Sequence, residues 1–164
     1  MRRRPAILAG KSLSVTPHVS AMLLSERLMT ARSEGSPETR RRARVLVADD
    51  EPDLREVIGD LLSALGYDVV FAETALGALG MVKTSRPDVV LLDLMMPGAV
   101  MGDAVISAIS ALVPVVVMSA VTDFDRARRT LQEGAFDFLM KPISTERLNE
   151  VVAAAILHGS ADSS

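Results

Sequence analysis

The 164-residue chain is 49% hydrophobic and 24% charged, which excludes a wholly disordered polymer and allows one domain with a sizeable core. It has no cysteine, two histidines and five aromatic residues, which excludes disulfide scaffolds, cysteine-ligated zinc and a three-histidine metal site. The net charge of −3 is uneven: residues 1–44 hold ten basic and three acidic side chains, and residues 45–164 hold eight and eighteen.

The basic stretch reads as a flexible N-terminal extension over 1–42, with one short helix at 17–32 where Val19, Met22, Leu23 and Met29 recur at helical spacing. Arg2–Arg4 resembles the start of a secretory signal, but the apolar run behind it stops at Gly10. The richest apolar run, Ala111–Ala120, is ten residues and contains Pro114, too short for a membrane span. The expectation is a cytoplasmic chain. The body is acidic and poor in aromatic side chains, so nucleic acid is not expected as its direct ligand.

From Ala43 to His158, apolar runs alternate with helical segments. A strand at Val45–Ala48 runs into Asp49-Asp50, and Pro52 opens a helix that Gly66 ends. Val69–Phe71 is a second, shorter strand, placed nearer a sheet edge, and Ala75–Lys83 a second helix. Val89–Leu92 is a third strand, stopped by Asp93, and Asp103–Leu112 a short third helix. Val115–Met118, Asp123–Glu133, Phe136–Met140 and Thr145–Leu157 complete a fivefold βα pattern, with 159–164 left as a tail. The first, third and fourth strands are continuous Val/Leu runs, as in a parallel sheet covered on both faces.

In such a sheet, functional residues gather at the carboxyl ends of the strands. Those ends carry Asp49-Asp50, Asp93, Ser119 and Lys141-Pro142. Carboxylates crowded on one rim repel one another, and a bound cation relieves that repulsion. Oxygen ligands without nearby histidine or cysteine select Mg²⁺ or Ca²⁺, and a few carboxylates completed by a phosphate oxygen suit Mg²⁺. A lone carboxylate can act as a nucleophile and become an aspartyl phosphate, with a lysine and a hydroxyl facing the phosphoryl oxygens. Asp93, Lys141 and Ser119 are of those types.

Four stretches carry a family resemblance: Val45–Pro52, Val89–Pro97, Val117–Ala120 and Gly134–Pro142. With them the body resembles the receiver domain of bacterial two-component response regulators. The resemblance implies a flavodoxin-like doubly wound sheet of five parallel strands, order 2-1-3-4-5, with five helices. It implies that Asp93 is the phosphoacceptor, loaded by a histidine kinase or a histidine phosphotransfer protein. Asp50 would bind Mg²⁺ directly, Asp49 partly through water, with Asp93 and the Met95 backbone carbonyl as further ligands. Ser119 and Lys141 would contact the phosphoryl group, and the bond before Pro142 is cis in most members. Ser119 and Phe138 would form the switch, altering the face of the fourth helix, fifth strand and last helix for a downstream protein target. Such a chain catalyses its own phosphorylation and dephosphorylation and is not a conventional enzyme on an external substrate.

Several positions depart from the family. The loop Pro97–Gly102 is one residue longer than usual, and the third helix is short. Met95 and Val121 are apolar where the family positions hydrolytic water, which implies slow self-dephosphorylation. Seven residues follow Leu157, so the expectation is a stand-alone receiver. The alternative is a degenerate receiver acting as a phosphorylation-independent scaffold. A flavin module would need a glycine-rich phosphate loop after the first strand, where three acids stand instead. An aspartate phosphatase would leave Asp93 and Lys141 unexplained.

Overall fold

A computed structural model describes residues 41–96 and 102–162. The expected helix at 17–32, nearly all of the extension 1–42 and most of the altered loop, 97–101, lie outside the described residues, as does the Val121 side chain. The elements are β1 (Arg44–Ala48), α1 (Pro52–Ala64), β2 (Asp68–Ala72), α2 (Ala75–Ser85), β3 (Val89–Asp93), α3 (Gly102–Ser110), β4 (Val115–Ala120), α4 (Phe124–Gln132), β5 (Asp137–Lys141) and α5 (Thr145–Asp162). A 3₁₀ turn, Val121–Asp123, joins β4 to α4.

The strands form one parallel sheet in the order β2-β1-β3-β4-β5. The fold is the flavodoxin-like one, with β2 at an edge as its shorter apolar run suggests. Successive side chains of a strand point to opposite faces, so each inner strand serves two cores. Leu46, Ala48, Val90, Leu92, Val115 and Val117 meet α2 and α3 on one face. Val45, Val47, Val89, Leu91, Val116 and Met118 meet Ile58 and Leu62 of α1 and Leu148, Val151 and Val152 of α5 on the other. This is why the inner strands are unbroken apolar runs and not alternating ones.

Helix ends follow local chemistry. Thr74 caps α2 by accepting from the Gly77 N–H at 3.0 Å. Gly66 and Gly134 follow α1 and α4 at φ 94° and 103°, a region glycine enters without steric cost. Several boundaries differ from those the sequence suggests. Strands β3, β4 and β5 include Asp93, Ser119 and Lys141, because the ladder continues through Asp93 beside Met118 and Ala120 beside Lys141. Helix α5 runs through Gly159 to Asp162, into the stretch read as a tail. Gly159 is no terminator: a Cβ there would lie 2.9 Å from Pro114 Cγ, so the missing side chain lets the helix pass close to Pro114.

Leu91 is fully buried in the central strand, whereas Leu76 on α2 is 72% exposed. Leu91→Ala should cost about 2–5 kcal/mol in urea unfolding, and Leu76→Ala should stay within about 0.5 kcal/mol of wild type. Equal losses would contradict this placement of the core.

Candidate functional site

The parallel register brings the polar strand ends to one rim. Asp49 follows β1, Asp93 closes β3, Ser119 lies near the end of β4 and Lys141 closes β5. β3 is buried along its whole length, so its terminal carboxylate is buried too, at 2% exposure. Asp49 and Ser119 are also buried, while Asp50 is exposed. One carboxylate oxygen from each of Asp49, Asp50 and Asp93 lies within 4.8 Å of the other two.

Lys141 bridges the two buried acids. Its Nζ is 3.2 Å from Asp49 Oδ2 and 3.2 Å from Asp93 Oδ1. The contact with Asp49 is a well-aligned hydrogen bond, whereas Asp93 Oδ1 accepts none among the described residues. Asp49 Oδ1 accepts from the Glu51 N–H at 2.9 Å. The Lys141–Pro142 bond is cis.

The charges are coupled. Burial raises the Asp93 pKa, Lys141 lowers it, Asp49 raises it again, and the Met95 backbone N–H favours the ionised form; the net direction is up. Burial works against the Lys141 ammonium, but the Asp93 and Asp49 carboxylates outweigh it and raise its pKa above the ordinary lysine value. With all groups ionised, three carboxylates face one ammonium, and a cation is the complement of that excess. The donors are all oxygen, and buried Asp93 Oδ1 lacks an aligned partner, so this acidic pocket fits a hard divalent cation.

Other expected residues lie around this rim. The Met95 side chain is exposed, and its sulfur is 3.8 Å from Arg126 Nη1 of α4. Among the described residues, Ser119 Oγ makes a long, 3.4 Å contact with the Ala120 carbonyl. Phe138 is half-buried on β5 and meets Phe124 of α4 edge-to-face, with ring centroids 5.7 Å apart. Two participants were not anticipated: the Glu51 backbone N–H, and Arg55, which donates to the Asp49 carbonyl at 2.6 Å. A basic residue in the first turn of a helix that follows an acid pair is the signal that could have pointed to Arg55.

Residues 45–153 match the response regulator receiver domain. The chain is 39% identical over 117 residues to the DNA-binding response regulator MtrA of Mycolicibacterium smegmatis, covering 70% of this chain and 51% of that protein. It is 33% identical over 115 residues to the probable transcriptional regulator ycf27 of Porphyridium aerugineum, covering 69% and 48%. The chain thus spans about half the length of the curated relatives it matches. Among solved structures, a response regulator receiver domain protein from Clostridium thermocellum superposes with a TM-score of 0.67 at 28% identity, over 73% of this chain and 98% of that one. The receiver domain of the Francisella response regulator 1452 gives 0.63 at 28% identity, over 71% and 98%. No helix among the described residues is long and apolar enough to cross a membrane.

The raised Asp93 pKa has a consequence for stability. The folded chain holds that proton to higher pH than the unfolded chain does. The stability this contributes is complete below the ordinary carboxylate range, about pH 4, and is lost as pH rises through the raised value. In EDTA, wild type should therefore lose melting temperature relative to Asp93→Asn as pH climbs from that range. Parallel pH profiles of the two proteins would contradict the shift.

Proposed function

The chain belongs to the response regulator receiver domain family, and from that premise we propose that Asp93 accepts a phosphoryl group from a phosphohistidine of a kinase or phosphotransfer protein. One observation carries the reading: the buried Asp93 carboxylate lies 3.2 Å from the Lys141 ammonium, inside a cluster with Asp49 and Asp50. An Asp93 oxygen attacks phosphorus as the P–N bond to the donor imidazole breaks, and that bond's electron pair leaves with the imidazole nitrogen. Lys141 faces the developing charge on the phosphoryl oxygens, and the Ser119 hydroxyl, whose contact with the Ala120 carbonyl is a long 3.4 Å, donates to one of them. Asp49, Asp50, Asp93 and the Met95 carbonyl would hold Mg²⁺. When bound, it would supply charge neutralisation for the phosphoryl oxygens.

The same residues suggest how the event is read. Lys141 binds both Asp49 and Asp93, so a phosphoryl group on Asp93 competes for its ammonium. Ser119 moving toward that group leaves space for Phe138, whose ring touches Phe124 at the start of α4. The face of α4, β5 and α5 then changes for a downstream protein. The exposed apolar Met95 offers no strong hydrogen bond to an attacking water, so the phosphoryl group persists.

Incubation with Mg²⁺ and a small-molecule phosphodonor should add one phosphoryl mass to wild type and none to Asp93→Asn, and EDTA should abolish the gain. A gain that survives in Asp93→Asn would overturn the assignment. Once the chain is loaded, Met95→Asn should shorten the phosphoryl half-life; an unchanged half-life would remove Met95 as its determinant.

A further inference from the structure

Arg55 sits in the first turn of α1 with 13% of its side chain exposed. Its Nη1 donates to the Asp49 backbone carbonyl at 2.6 Å, and its Nη2 reaches Glu73 at 3.0 Å. Glu73 follows β2, so one guanidinium joins the turn after β1 to the end of the neighbouring strand. The fork completes the fixation of Asp49. The Asp49 N–H donates to Ala72 at 3.2 Å, Oδ1 accepts from the Glu51 N–H, and Oδ2 accepts from Lys141. Every polar atom of Asp49 is thereby held.

We propose that Arg55 is a positioning residue for the acidic cluster: gripping the Asp49 carbonyl and Glu73 together, it holds the turn carrying Asp49 and Asp50 in the arrangement that captures a divalent cation. The inference rests on the reading of that cluster as a Mg²⁺ site. Position and charge act here with opposite signs. As a point charge, a guanidinium beside three carboxylates weakens cation binding, and Glu73 on its other arm offsets that charge. As an anchor it strengthens binding, because a charge-assisted hydrogen bond of planar, forked geometry restrains the backbone that carries the ligands. The near-burial of the guanidinium and the short bond to the carbonyl favour the anchor.

The test is an amide NMR titration of the full chain with MgCl₂, for wild type, Arg55→Met and Arg55→Lys, with melting temperatures taken in EDTA. Arg55→Met should raise the Mg²⁺ Kd roughly tenfold. Arg55→Lys, which keeps the charge but reaches one partner at a time, should recover part of the loss. An unchanged or tighter Kd in Arg55→Met overturns the proposal. So does a lysine variant as weak as the methionine variant when both melt well below wild type in EDTA, since that marks a general loss of structure. A wild type that binds no Mg²⁺ overturns the cation reading itself, and this inference with it.

Discussion

Two buried carboxylates share one ammonium, and the rest of the molecule is arranged around that constraint. Asp49 and Asp93 lie at the ends of apolar strands, almost out of contact with water, and Lys141 stands 3.2 Å from each. Burying an ionised carboxylate is costly unless it is paired. Here the pairing is incomplete: one lysine serves two buried acids, Asp50 adds a third carboxylate, and Asp93 Oδ1 accepts no aligned hydrogen bond among the described residues. A site left short of positive charge suits a hard divalent cation.

The fold makes such a site attainable. A parallel sheet with helices on both faces gives each inner strand an apolar body, and its ladder hydrogen bonds fix where the strand ends. Four polar residues from positions distant in sequence therefore reach one rim without long loops. The interior supplies the low polarity that raises the Asp93 pKa, and β5, one strand beyond its neighbour β4, supplies the lysine that opposes the rise. Packing energy held in the two cores thus keeps the electrostatic frustration of the rim in place.

Much of this was legible in the sequence because the relevant signals are local. Unbroken Val/Leu runs marked β1, β3 and β4 as strands covered on both faces, and a polar residue directly after each run marked the rim. The extensions of β3 and β5 by one residue and of β4 by two were not legible, since a ladder continues or stops according to its partner strand. The length of α5 was hidden because glycine ordinarily ends a helix, whereas here Gly159 lets the helix pass close to Pro114. Arg55 was overlooked for a related reason: in sequence it is one charged residue on an amphipathic helix, and its partners are the residues that follow β1 and β2. What escaped sequence reading is what depends on contacts between elements.

The most direct measurement is a crystal structure of the full chain with Mg²⁺ and beryllofluoride, a stand-in for the phosphoryl group. Beryllium should be bonded to an Asp93 carboxylate oxygen, with Lys141 Nζ and Ser119 Oγ within hydrogen-bonding distance of its fluorines. Beryllofluoride absent from Asp93, or bound there while Lys141 stays on Asp49 and Ser119 remains apart, would contradict it.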